Sequence, residues 1–177
     1  YALNTQTFPV LLARETSAGH IPAGTIKGIL ISLCIMGFGA AAAIIALAEP
    51  LVRFALPAFD PATALSLVPF LTLGAVARGA KHLVFDNIFH AYGRNWAMLR
   101  WFSLVAVATL ALTIALVPRF GPQGAAFSFL LGSVAGLASS IALSRRFCPL
   151  NWPVAALAGI AASALIAALA AYLASAW

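Results

Sequence analysis

The sequence contains few charged residues: 8% of its 177 residues are Asp, Glu, Lys or Arg, and only 4 are acidic. Soluble domains carry about 25% charged residues, so this chain lacks the means to cover a water-exposed surface. Hydrophobic residues make up 63% of it, which excludes a disordered protein. The composition therefore predicts a membrane protein and argues against an ordinary soluble enzyme.

Residues with catalytic or metal-binding chemistry are also scarce. The cysteines, Cys34 and Cys148, are far apart and form no CxxC pair. The histidines, His20, His82 and His90, lack the spacing of a zinc site. Neither a glycine-rich phosphate loop nor a Ser-His-Asp arrangement is evident. We expect no metal, no cofactor and no enzymatic activity.

The net charge of +6 comes from basic residues scattered singly between apolar runs. A nucleic-acid-binding protein clusters its basic residues on one face. Isolated Lys and Arg between apolar runs are instead typical of topology signals at a membrane surface. We therefore expect the lipid bilayer, and no nucleic acid, as a partner.

Five apolar stretches are long enough to cross a bilayer, which needs about 20 mostly apolar residues. Because backbone groups in lipid must bond within their own segment, we expect helices. The chain starts at Tyr1, and residues 1–12 resemble the end of a further helix, which predicts a fragment of a longer protein. Short links, including one at 49–61, predict an all-α polytopic membrane helix bundle with about five complete transmembrane helices plus the end of a sixth. The predicted spans are 28–48, 62–90, 97–117, 121–144 and 153–173.

The basic residues predict the orientation of these spans. If residues 13–27, 94–100 and 145–151 are cytoplasmic, then Arg53 and Arg119 are the two basic residues outside the spans that face the other side. Six basic residues then lie on the cytoplasmic side: Arg14, Lys27, Arg94, Arg100, Arg145 and Arg146.

Glycines mark the predicted turns and packing faces. Gly93 stands between two spans and Gly121 at the first residue of another, where they allow tight turns. Small residues also recur at every fourth position, which places them on one helix face where another backbone can approach closely. We expect packing within the chain, with a homodimer contact as the alternative. The glycines of these faces are Gly124, Gly132, Gly136 and Gly159.

The second span carries an unusual group of ionisable residues. At α-helical spacing they occupy about half of the circumference, with Phe85 and Phe89 inside the same arc. An Asp86 contact with His82 or His90 is expected from their i,i±4 spacing. The group consists of Arg78, Lys81, His82, Asp86 and His90.

Two interpretations of this group remain open. In the first, it lines a water-filled cavity and binds an anionic substrate or a coupling ion. In the second, its charges extend to the lipid headgroups at the cytoplasmic end of a long helix. A helix over residues 62–92 is about 46 Å long. Since the hydrocarbon core is about 30 Å thick, part of the group must lie at the interface.

Several motifs together resemble a known family. Ala91-Tyr92-Gly93-Arg94, Val117-Pro118-Arg119-Phe120-Gly121 and Gly124-Ala125-Ala126 occur in an order and spacing similar to the C-terminal half of polysaccharide flippases. Phe8 to Arg14, FPVLLAR, resembles a helix end in the same family. These flippases belong to the multidrug/oligosaccharidyl-lipid/polysaccharide exporter superfamily.

The resemblance implies the C-terminal lobe of a two-lobed transporter that works by alternating access. Its substrate would be a polyprenyl-pyrophosphate-linked glycan, carried across the bacterial cytoplasmic membrane for polysaccharide biosynthesis at the cell envelope. Arg78 or Lys81 would then meet the pyrophosphate. The N-terminal half of the same protein would be the partner, and residues 1–177 would be a partial lobe. The alternatives are an ion-coupled multidrug exporter, a membrane-embedded glycosyltransferase and a structural membrane subunit.

The predicted orientation can be tested by labelling single cysteines in a background from which Cys34 and Cys148 have been removed. Arg94→Cys and Arg145→Cys should react with an impermeant maleimide only after the membrane is opened. Arg119→Cys, the matched control at a predicted external corner, should react in intact cells. Labelling of Arg145→Cys in intact cells would contradict the orientation.

Overall fold

The computed structural model describes residues 23–55 and 60–146, and every regular element in these ranges is helical. The all-α class is therefore confirmed for this part of the chain. The predictions for residues 1–22, for the span at 153–173 and for Gly159 lie outside the described residues. The elements are α1 (Ala23–Ala46), α2 (Ala48–Ala55), α3 (Pro61–Ala80), a π-helical segment (Lys81–Asp86), α4 (Asn87–Ala91) and α5 (Asn95–Ser144).

Two of the described helical stretches are long and apolar enough to cross a membrane, Pro61–His90 and Asn95–Ser144. A third is added if Ile31–Ala46 and Ala48–Ala55, which meet at 71°, form one broken span. Pro50 explains the break, because it has no N–H to donate to the carbonyl of Ala46. The apolar helices indicate a protein embedded in a membrane, with two or three candidate spans.

The short helix α2 lies where the sequence predicts only a connection. Its Ala48 and Val52 are buried against the bundle, whereas Leu51 and Phe54 are exposed. On the exposed side, Arg53 forms an i,i+4 ion pair with Glu49 at 2.8 Å. The link at 49–61 is therefore partly helical, because its first residues have the hydrophobic period of an amphipathic helix. The prolines on either side make this period hard to recognise in the sequence.

Helix α3 begins at a side-chain cap. Asp60 accepts hydrogen bonds from the backbone N–H and the hydroxyl of Thr63, at 2.9 and 2.6 Å, and Pro61 follows at the first helical position. The hydroxyl bond, followed by the backbone bond, lowers the pKa of the Asp60 carboxyl. A lowered pKa in the folded state means that the cap stabilises the helix at neutral pH and weakens as acid protonates Asp60.

Helix α5 reverses direction at Gly121, whose φ of 56° and ψ of −138° lie outside the helical region. Residues 95–120 are called the first arm and residues 122–144 the second arm. Small residues of the second arm face progressively earlier residues of the first. Gly124 lies against the backbone of Leu116, Gly132 against Thr109 and Gly136 near Val105. The two arms therefore form an antiparallel helical hairpin.

The second arm also packs along α3, and these two helices run parallel. Gln123 donates a hydrogen bond to Ser66 at 3.1 Å near the tip of the hairpin. One turn further, the rings of Phe70 and Phe127 meet edge to face, with centroids 6.0 Å apart. Beyond them, Gly74 lies directly against Phe129. Small and aromatic residues thus alternate along the contact and bring the helices close together.

The main buried cluster lies at the other end of the bundle. Val84, Phe85, Ile88 and Phe89 are almost fully inaccessible. They pack against Leu33 of α1, Met98 of the first arm, and Leu137, Ile141 and Leu143 of the second arm and its end. Lipid tails are as apolar as these side chains, so close packing, rather than transfer from water, stabilises the cluster.

The chain leaves α4 through a glycine turn. Gly93 has a φ of 63°, a conformation that strains residues with a Cβ. Its N–H donates to the carbonyl of His90 at 3.1 Å, and that of Arg94 donates to Phe89 at 2.9 Å. This pair of bonds is the Schellman motif, which satisfies the last carbonyls of the helix and directs the chain into α5.

The hairpin contacts can be tested by replacing single glycines with alanine. A Cβ at Gly124 would lie 2.6 Å from the carbonyl oxygen of Leu116, so Gly124→Ala must force the arms apart. We expect it to destabilise the detergent-solubilised protein by about 1–3 kcal/mol. Gly79→Ala, whose Cβ meets nothing, is the matched control and should be neutral or stabilising by up to about 1 kcal/mol. Equal melting temperatures for the two variants would contradict the hairpin.

Candidate functional site

The ionisable group of the second span lies around the π-helical segment, Lys81–Asp86. In a π-helix each turn holds about one residue more than an α-turn, so i and i+5 become neighbours. In an α-helix, Lys81 and Asp86 would point about 140° apart. The wider turn brings these two side chains together and turns the residues beyond it by roughly 100° relative to a continuous α-helix.

Lys81 and Asp86 form an ion pair inside the bundle. The Lys81 Nζ lies 3.2 and 3.3 Å from the two carboxylate oxygens of Asp86. Their side chains are only 11% and 16% exposed. A charge removed from water is costly unless a counter-charge accompanies it, so each residue makes the burial of the other tolerable.

Lys81 also contacts both arms of the hairpin. Its Nζ lies 3.4 Å from the centroid of the Phe102 ring, a cation–π contact with the first arm. Its methylene stem passes the second arm at Gly136, where a Cβ would lie 3.6 Å from the Lys81 Cδ. The absence of a side chain at Gly136 therefore makes room for Lys81, and one lysine joins the π-helical segment to the two arms.

The remaining ionisable residues of the group lie in more open positions. His82 contacts Asp86 through Nδ1 and is 51% exposed. The Asp86 contact expected with His82 or His90 is thus made by His82, whereas His90 is exposed one turn further on. Arg78 is exposed one turn before Lys81. The group divides into an inward-facing pair and three more accessible residues.

A groove of about 530 Å³ lies between α3, the π-helical segment and the hairpin. Arg78, Lys81 and His82 line one side of it. The other walls are apolar and hydroxyl-bearing, formed by Phe102, Val105, Ala106, Thr109, Leu110, Thr113, Phe129, Gly132, Ser133 and Gly136. The groove therefore combines two cationic side chains and a histidine with a largely apolar surround.

Each hydroxyl group that lines the groove donates its hydrogen to a backbone carbonyl of its own helix. Thr109 donates to the carbonyl of Val105 at 2.7 Å, and Thr113 donates to that of Thr109 at 2.8 Å. Ser133 does the same with Phe129 at 2.7 Å. A hydroxyl that donates within its own helix keeps its oxygen as an acceptor. These walls can therefore accept hydrogen bonds from a ligand, while Arg78 and Lys81 can only donate.

The groove begins about one bilayer thickness from the start of α3. Lys81 lies about 30 Å from Pro61 along the helix, which is about the thickness of the hydrocarbon core. From the level of Phe102, the groove extends about 16 Å along the first arm to Thr113. Its basic end thus lies at the far end of α3 from Asp60, and its apolar end extends back toward the middle of α3.

Sequence reasoning missed the π-helical segment and the Phe102 contact. One signal was present: at α-helical spacing Phe85 and Phe89 fall inside the polar arc, which is unfavourable for such large apolar side chains. The π-turn removes this conflict, because it rotates both rings into the buried cluster. The position of Phe102 depends on the packing of the hairpin and leaves no local pattern.

Comparisons of the chain with protein-family models, with curated proteins and with solved structures gave no match. Within residues 23–55 and 60–146, no three His, Cys, Asp or Glu side chains come together as metal ligands.

The importance of the buried pair can be tested by removing one partner. Lys81→Met leaves Asp86 buried without its ammonium, and we expect a loss of about 3 kcal/mol or more in the free energy of unfolding. Arg53→Met breaks the exposed pair with Glu49 and is the matched control, with an expected loss below about 1 kcal/mol. Denaturation of the protein in detergent measures both. Similar losses would show that Lys81 is not buried in a pair.

Proposed function

We propose that the chain is part of the C-terminal lobe of a transporter that moves lipid-linked oligosaccharide or polysaccharide precursors across the bacterial cytoplasmic membrane. The groove is the observation that carries this proposal, because basic side chains line one end of it and apolar and hydroxyl-bearing side chains line the rest. We propose that the basic end lies at a membrane edge and that the apolar part leads toward the membrane centre. The motifs around Gly93 and Gly121, which resemble those of polysaccharide flippases, support the same family. Transport would proceed by alternating access between two lobes.

Arg78 is the residue best suited to bind the pyrophosphate of such a substrate. It lines the groove, and no carboxylate in the described part of the chain pairs with it. A guanidinium offers several donors in a plane and can hold two phosphate oxygens at once. The acceptor oxygens of Thr109, Thr113 and Ser133 could then receive hydrogen bonds from hydroxyl groups of the glycan.

In this proposal each arm of the hairpin crosses the membrane separately. The first arm, residues 95–120, is about 39 Å long, and the second, residues 122–144, about 35 Å, so either can span a core of about 30 Å. With α1, the stretch Pro61–His90 and the predicted span 153–173, this gives five crossings. The reversal at Gly121 would face the outside and Gly93 the cytoplasm.

An ion-coupled multidrug exporter is the second candidate, and a specific observation favours it. Asp86 is a carboxylate inside the bundle that contacts both Lys81 and His82, and such groups are typical of ion and proton pathways in membranes. Its drug would be expected to occupy the same groove. The two candidates differ in which cargo is lost when the groove is altered.

Complementation of a strain that lacks the full-length protein tests the proposal. Arg78→Gln should reduce the glycan at the cell surface at least tenfold, because the pyrophosphate loses its free cation. Arg53→Gln removes a basic residue that lies outside the groove and should export normally. Protein levels of both variants are compared by immunoblot. Normal glycan export by Arg78→Gln would refute the proposal, and loss of drug efflux instead would favour the second candidate.

A further inference from the structure

Arg78 and Lys81 line the groove from the same helical stretch, but their surroundings differ. Arg78 has no carboxylate partner among the described residues, whereas Lys81 Nζ lies within 3.3 Å of both carboxylate oxygens of Asp86. A phosphate oxygen bound to Lys81 would need the position that a carboxylate oxygen now holds. Lys81 therefore already has an anionic partner within the protein, the carboxylate of Asp86.

We propose that Asp86 is an internal competitor for Lys81, so that an anionic group entering the groove must take this lysine from Asp86. Asp86 then sets the affinity of the groove for anions, while Arg78 provides the initial contact. This inference rests on the proposed function in one respect: it takes the groove to be where an anionic ligand binds. The proposal gives Arg78 and Lys81 different roles, although the sequence alone does not distinguish them.

The surroundings of the pair allow such an exchange. His82 contacts the same carboxylate and lines the groove, so Asp86 keeps a hydrogen-bonding partner when Lys81 leaves. The face of Phe102 lies beside the ammonium and can stabilise its positive charge during the exchange. Lys81 itself lines the groove through a flexible stem of four carbons. Movement of this stem can therefore transfer the ammonium group from Asp86 to an anion in the groove.

The pair could alternatively serve the fold alone, and the two roles predict different behaviour. A purely structural pair would leave anion affinity unchanged as long as the variant folds. A competitor raises the affinity when it is removed, provided that Lys81 is present to bind the anion. A simple loss of negative charge near the groove would raise the affinity whether or not Lys81 is present. A double-mutant cycle separates these three cases.

The experiment measures binding of inorganic pyrophosphate to the full-length protein in nanodiscs by titration calorimetry. Asp86→Asn should bind at least about tenfold more tightly than the wild type, which corresponds to about 1.4 kcal/mol. The gain should disappear when Lys81→Met is added, so that Lys81→Met and the double variant bind with affinities within about threefold of each other. Glu49→Gln removes a carboxylate from the exposed pair on α2 and should bind as the wild type does.

Each other outcome overturns a defined part of the account. Unchanged affinity of a folded Asp86→Asn variant refutes the competitor role, and so does a gain that persists without Lys81. If Arg78→Gln still weakens binding in those cases, the proposed function stands. If neither the wild type nor Asp86→Asn binds pyrophosphate, both proposals fail.

A second measurement covers the case in which Asp86→Asn does not fold. Wild-type protein labelled with ¹⁵N at lysine is saturated with pyrophosphate, and solid-state NMR detects dipolar coupling between Lys81 Nζ and phosphorus. The exchange predicts that this coupling appears and that the coupling of Nζ to the Asp86 carboxyl carbon weakens. An unchanged Lys81–Asp86 coupling at saturation would refute the competitor role.

Discussion

The need to pair a buried charge shapes the central part of this structure. The Lys81 side chain is only 11% exposed inside the helical bundle, where an ammonium without a counter-charge is strongly unfavourable. The nearest acid in sequence, Asp86, is five residues away, a spacing that an α-helix places on different faces. The π-helical segment solves this problem: it brings the two side chains within 3.3 Å and rotates Phe85 and Phe89 into the buried cluster. The π-helical segment thus gives the Lys81 ammonium a counter-charge and also places two phenylalanine rings in the buried cluster.

The hairpin provides the surroundings in which this pair can exist. Its reversal requires the positive φ of Gly121, and its tight packing requires small residues where the arms meet. Gly136 leaves space for the stem of Lys81, and Phe102 places an aromatic face beside the ammonium. The same closely packed helices leave a groove between α3 and the arms. Packing, charge pairing and the candidate site are consequences of the same arrangement.

Much of the architecture could be predicted from the sequence because it depends on local patterns. Apolar length predicts membrane helices, glycine predicts the breaks at residues 93 and 121, and the small residues from Gly124 to Ser140 predict a packed face. The ion pair could not be predicted in the same way, since α-helical spacing gives the wrong neighbours for Lys81. The contribution of Phe102 also required the three-dimensional position of the first arm. The π-turn left only an indirect trace, two phenylalanines in a polar arc.

The most direct test of the account is the environment of the Lys81 ammonium in a lipid bilayer without ligand. Solid-state NMR on protein labelled with ¹⁵N at lysine and ¹³C at aspartate can measure the coupling of Nζ to the Asp86 carboxyl carbon and to lipid phosphorus. The account predicts strong coupling to Asp86 and none to lipid phosphate. Coupling to lipid phosphorus, without coupling to Asp86, would mean that Lys81 extends to the headgroups and that the buried pair does not exist.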